Sequence, residues 1–130
     1  MRHRIFVSYA TGDECHVKEL YDALSKLEKI EMYIPKGNHD KDVNLESKVR
    51  EGIDSCSVVI VLLTYNSTNT IWLNQEIGYA TAKNIPIISI IEQGIDVRGF
   101  LEGKDYFVFK REDFSYNIQQ IITRLRSILL

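Results

Sequence analysis

The chain has 130 residues, 45% of them hydrophobic and 26% charged, with a formal net charge of -2. That length supports one buried core and is too short for two, so a single domain spanning residues 1–130, with one site, is expected. The composition is that of a folded soluble protein, and with Lys and Arg dispersed along the chain there is no electrostatic basis for binding nucleic acid or an anionic membrane.

The opening residues, "MRHRIFVSYA", lack the apolar core of a signal peptide, and no apolar stretch reaches the roughly 18 residues needed to cross a bilayer. A cytoplasmic location is therefore expected. Residues 5–9 form a β-rich run with few polar interruptions, suited to the interior of a sheet. "TGDE" at residues 11–14 fits a capping box in which Thr11 accepts from the backbone three residues on and Glu14 reaches back. Val17, Leu20, Tyr21, Leu24 and Leu27 then recur at the spacing of one helical face.

A second strand is expected at residues 31–34, ending at Pro35, and "PKGNHDKD" at residues 35–42 has the turn residues and lack of periodicity of a loop. Leu45, Val49 and Ile53 mark the next helix, with Glu46, Glu51 and Asp54 on its wet side. Residues 58–63 are apolar throughout, as in a strand covered on both faces of a parallel sheet. A helix over about 70–83, a two-sided strand at 85–91, a weaker helical turn at 97–101 and a strand at 106–110 follow. The chain closes on an amphipathic helix carrying Ile118, Ile121, Ile122, Leu125, Ile128 and Leu129 on one face.

Five strands alternating with five helices predict a doubly wound, five-stranded parallel sheet with helices on both faces. With strand order 2-1-3-4-5, a ligand binds outside the carboxyl ends of strands one and three, where the order reverses. The first strand ends at Ser8, Tyr9 and Ala10, and the third at Thr64, Tyr65 and Asn66.

The stretch "TYNSTNTIWLNQE", residues 64–76, begins at that place. Asn66, Ser67, Thr68, Asn69 and Thr70 suit a turn and a helix N-cap, and equally offer hydroxyls and amides to a polar ligand. Trp72 and Glu76 are four residues apart and share a helical face. Spacing alone leaves two readings open: a site, or a core indole beside a solvated acid. Other constellations carry less. His3, His16 and His39 are too scattered to hold a metal, and "GNHDKD" lacks the spacing of a calcium loop. The sequence contains neither GxGxxG nor a P-loop. Cys15 and Cys56 lack a CxxC partner and read as small buried or half-buried residues.

"RIFVSYA", the acidic helix start at Asp13, "CSVVIVLLTYNSTNTIWLNQEIGYA" and "NIPIISI" together resemble the Toll/interleukin-1 receptor (TIR) domain family over essentially the whole chain. "FVSY" resembles its first box, and Asn66, Ser67, Trp72 and Glu76 resemble its S-x-x-S/T-x-W-x-x-x-E pattern. The resemblance implies a flavodoxin-like fold and, as in prokaryotic, plant and some animal members, cleavage of the nicotinamide-ribose bond of NAD+ by the glutamate that Glu76 matches. NAD+ is then a substrate and no cofactor is implied. Ser8, Tyr9, Ala10 and Thr11 would line the nicotinamide side, Asn66 and Ser67 would also bind substrate, and Trp72 would be an aromatic wall. A loop supplied by a second copy, here Pro35, Lys36, Gly37 and Asn38, would complete the site through TIR-TIR self-association.

This loop has neither the Arg-Asp pair nor the Pro-Gly of receptor-type members, and Phe114 alone echoes their late Phe-Trp box, both features of self-association and adaptor contacts; the lineage also resembles the prokaryotic members more than receptor tails. In that setting the product, ADP-ribose or a cyclic isomer, would act as a messenger to a partner effector in anti-phage immunity. Two other readings compete. One is a non-catalytic TIR-TIR interaction module; the other is a nucleoside deoxyribosyltransferase-like enzyme, which also pairs a flavodoxin-like sheet with a glutamate.

Overall fold

Two-sided apolar strands can be shielded from water only between two helix layers, and the chain adopts that arrangement. The computed structural model describes residues 3–10, 12–34, 47–67, 71–95 and 106–129, including side chains except at 47, 48 and 71–73. The strands are β1 (His3–Ser8), β2 (Ile30–Tyr33), β3 (Val58–Leu63), β4 (Ile87–Glu92) and β5 (Tyr106–Phe109). All neighbouring pairs are parallel. Their order, β2-β1-β3-β4-β5, is the one expected from the sequence and makes β1 interior.

The helices are α1 (Glu14–Leu24), α2 (Ser47–Asp54), α3 (Ile71–Ala82) and α4 (Ile118–Leu129). The alternation of side chains along a strand divides the core in two. Ile5, Val7, Ile60, Leu62, Ile88 and Ile90 face α1 and α4, meeting Val17, Leu20, Leu24, Ile121 and Leu125. On the opposite face Phe6, Val59 and Val61 meet Val49 and Ile53 of α2 and Ile77 and Ala80 of α3. Each fully buried side chain of this kind contributes roughly 1.5–3 kcal/mol, so both layers are firmly attached to the sheet.

Some local expectations shift. The cap residue of α1 is Asp13, not Thr11, and Asp13 makes no side-chain capping bond. Glu14 does reach back, but to the Gly12 N–H at 2.8 Å, and Gly12 itself takes the left-handed region at φ 105°. Thr11 itself lies outside the described residues, as do the loop at 35–42 and the helical turn expected at 97–101. A 3-10 helix, Arg111–Asn117, precedes α4 and was not foreseen. Its Phe114 is buried, edge-on to Phe109 at 5.0 Å and tilted against His16 at 4.7 Å. Asn84, at φ 60°, ends α3 in a Schellman arrangement, with Ile85 N–H donating to Ala80 O and Asn84 N–H to Thr81 O.

Candidate functional site

At the carboxyl end of β1 the strand alternation that buries Phe6 against α2 and α3 also directs Ser8 to that face, where it is fully buried. On α3, Glu76, Ile77 and Ala80 form the inward stripe. Glu76 therefore enters the interior as a carboxyl group only 1% exposed. Its Oε2 accepts a hydrogen bond from Ser8 Oγ at 3.1 Å, and its Oε1 is buried with no partner among the described residues. Burial pushes the carboxyl up to about 8, against a smaller lowering by Ser8. Glu76 is thus not the solvated helix acid of the bland reading: it is buried, and its protonated form is favoured relative to that of an exposed glutamate. Ser89 is in register with Val61, as is Ser8, and its buried hydroxyl also lacks a partner among the described residues.

A second polar cluster ties the loops together at the same end of the sheet. Asp13, fully buried, accepts from Thr64 Oγ1 at 2.6 Å on one oxygen and from Asn66 Nδ2 at 2.9 Å on the other. Arg111 Nη2 lies 3.6 Å from the oxygen that Asn66 contacts. The same guanidinium donates to both oxygens of Glu92, at 2.9 and 3.0 Å, and holds that carboxyl below the usual range. Glu92 Oε1 also accepts from the Tyr65 N–H at 3.1 Å.

The expected site residues divide accordingly. Ser8 and Glu76 are brought into direct contact. Ala10 is buried in the core on their face of the sheet, whereas half-buried Tyr9 packs toward α1 and α4, its hydroxyl pKa raised by burial and by Glu14. Asn66 commits its amide nitrogen to Asp13, and Ser67, 2% exposed, exchanges hydrogen bonds with the Thr64 backbone. Both act in the scaffold of the β3–α3 turn. Trp72 lies one turn before Glu76 on α3, and its indole is outside the described side chains. Pro35, Lys36, Gly37 and Asn38 are likewise outside the described residues. Cys15 is exposed rather than buried, and half-buried Cys56 has its thiol pushed up to about 11 by burial.

The roles of Thr64, Glu92 and Arg111 were not anticipated, nor was that of Asp13 beyond its place at an acidic helix start. Thr64 and Asp13 had a signal, since they flank the predicted crevice. Glu92 and Arg111 had none, because their pairing depends on how β5 returns the chain beside β4. Among the described residues no group of three or more His, Cys, Asp or Glu is placed to hold a metal ion. No described helix is long and apolar enough to cross a membrane.

A parallel sheet reversing order between β1 and β3, with a buried acid carried there by the helix after β3, defines a doubly wound α/β domain with its candidate site at the switch point. The chain belongs to the TIR domain family, whose model matches residues 5–122. Among solved structures it is similar to the TIR domains in the activated Roq1 resistosome directly recognising the pathogen effector XopQ. The TM-score is 0.69 at 15% identity, covering 94% of this chain and 98% of that one. It is also similar to a 2-desoxiribosyltransferase from Leishmania mexicana, with a TM-score of 0.57 at 16% identity, covering 90% and 97% of the two chains. At these identities the likeness is one of fold. No curated protein matches the chain.

Proposed function

We propose that this TIR domain cleaves the nicotinamide-ribose bond of NAD+, with Glu76 as the acting carboxylate. The observation that carries the reading is the state of that side chain: one oxygen is held by Ser8, and the other is buried and unpaired among the described residues. An orphaned buried oxygen costs on the order of 1–3 kcal/mol, and a ribose hydroxyl or the attacking water would satisfy it as a donor. Glycosidases generally use two carboxyl groups because one must protonate the leaving group. Nicotinamide leaves as a neutral pyridine, taking the electron pair of the C–N bond, so one carboxylate suffices.

The raised pKa fits this chemistry. A cationic pyridinium beside Glu76 favours its ionised form, and the carboxylate then opposes the positive charge that grows on the sugar, an interaction stronger in the transition state than in the ground state. Water adds to the anomeric carbon and loses its proton, giving nicotinamide and ADP-ribose; capture by a nucleophile within the substrate gives a cyclic isomer. In this reading Trp72 is an aromatic wall for a substrate ring, Ala10 and Thr11 border the nicotinamide side, and the loop containing Pro35, Lys36, Gly37 and Asn38 completes the site of a second copy. The setting is cytoplasmic immune signalling of the prokaryotic type, in which a nucleotide product reaches an effector.

Incubating the purified protein with NAD+ tests this. Free nicotinamide is expected from the wild type and not from Glu76→Gln. Release by that variant at near wild-type rate defeats the assignment. Absence of release from the wild type at high protein concentration, where self-association is favoured, supports the interaction-module reading instead.

A further inference from the structure

The proposed chemistry leaves a fully buried carboxylate unused. Asp13 stands at the start of α1, and its partners Thr64 and Asn66 stand where β3 turns toward α3. Ser8 and Glu76 join the same two β–α units, β1–α1 and β3–α3, through α3, which covers the other face of the sheet. The two units are therefore tied twice, by Ser8–Glu76 and by Asp13–Thr64–Asn66.

The second tie is unusually directional. Besides donating to Asp13, the Thr64 hydroxyl accepts from the Asn66 N–H at 3.1 Å, and the Ser67 hydroxyl accepts from the Thr64 N–H at 2.8 Å. Tyr65 N–H is held by Glu92 and Ser67 N–H by Thr64 O, so each backbone amide from 64 to 67 has a fixed partner. On the facing rim Gly12 has φ +105°, and a Cβ there would lie 2.9 Å from Asn66 Nδ2. The missing side chain is what lets the Asn66 amide reach Asp13. Buried charge networks are weak sources of net stability and often give way to apolar residues without loss. What this one supplies is a fixed position.

We infer that Asp13 is a positioning residue: by fixing the β3–α3 turn against the end of β1, it sets where α3 presents Glu76 to Ser8 and to substrate. This rests on the reading of Glu76 as the acting group, and its test separates the two. In Asp13→Asn and in the near-isosteric Thr64→Val, kcat for nicotinamide release is expected to fall roughly 10- to 100-fold, as misplacements of about 1 Å do, with KM changed less than about threefold. The double variant is expected to be no worse than the poorer single one, because the two groups act as a unit. Independently of activity, the Glu76 carboxyl, followed by carbon-13 NMR, should titrate at a shifted midpoint in both variants, and amides 64–67 should exchange faster.

Lower thermal stability with kcat per folded molecule and the Glu76 midpoint both unchanged overturns the positioning role. If the wild type releases no nicotinamide, the midpoint and amide exchange decide the matter: shifts in both keep Asp13 as a positioning residue and remove only the NAD+ reading, and their absence removes Asp13. Should Asp13→Asn fail to fold, Thr64→Val carries the same test.

Discussion

Ser8 and Glu76, 68 residues apart in the chain, meet through one hydrogen bond of 3.1 Å, in which the serine hydroxyl donates to a carboxyl group almost sealed from water. The Ser8 hydrogen bond lowers the Glu76 pKa against the larger effect of burial. Ser8→Ala is therefore expected to raise that pKa further above about 8, and with it the alkaline limb on which the ionised carboxylate appears. At pH 7 the rate of nicotinamide release should drop roughly 3- to 10-fold and recover in part as the pH is raised, since one pKa unit is a tenfold change in ionised fraction. A pH–rate profile of wild type and variant checks it. An identical profile for both removes Ser8 from the site.

The acid is also a liability for folding, and the sign follows from proton counting. Its folded pKa, about 8, lies above the ordinary value of 4.5, so between those limits the native state holds a proton that the unfolded state has released. Stability attributable to this group is fully present below about pH 4.5, declines as the pH rises and levels off above about 8. Glu76→Gln cannot ionise and is expected to be more stable than wild type by on the order of 2–3 kcal/mol at neutral pH, with the difference vanishing near pH 4. Urea unfolding at several pH values measures it. A variant that is inactive yet more stable is the signature of a residue kept for chemistry.

Gly12 is expected to resist substitution. In Gly12→Ala an L side chain must occupy φ +105° and displace the Asn66 amide, which lies 2.9 Å from the new Cβ. A loss of about 1–3 kcal/mol is expected from the backbone alone, together with weakened Asn66–Asp13 contact. Chemical denaturation checks the first, and faster exchange of the Asn66 backbone amide the second.

Phe114 provides the contrasting case. It is buried between Phe109 and His16, away from Glu76 on the opposite face of the sheet. Phe114→Ala is expected to lose about 3–5 kcal/mol of stability while retaining kcat per folded molecule. Activity assayed well below the lowered melting temperature distinguishes this packing role from a catalytic one.

The sheet was legible because apolar runs report burial directly. Residues 58–63, without a polar interruption, required a strand covered twice, and the matching β3 is Val58–Leu63. Alternation of such strands with helical periodicity then left a parallel, doubly wound order. The end of β1 and the turn after β3 were legible as neighbours at the switch point for the same topological reason. Thr11 as a cap was misjudged, since a four-residue pattern does not reveal that Gly12 takes a left-handed turn inside it.

By itself, then, the order of residues determined the layers, the switch point and the presence of an acid on the third helix, all of which follow from periodicities of 2 and 3.6 residues and from chain connectivity. Tertiary structure alone decided that Glu76 is buried with its pKa pushed up to about 8, and that Asp13, Thr64, Asn66 and Arg111 converge. Ionisation depends on the dielectric and the hydrogen-bond donors around a carboxyl group, which come from strands distant in sequence, and no local pattern encodes them.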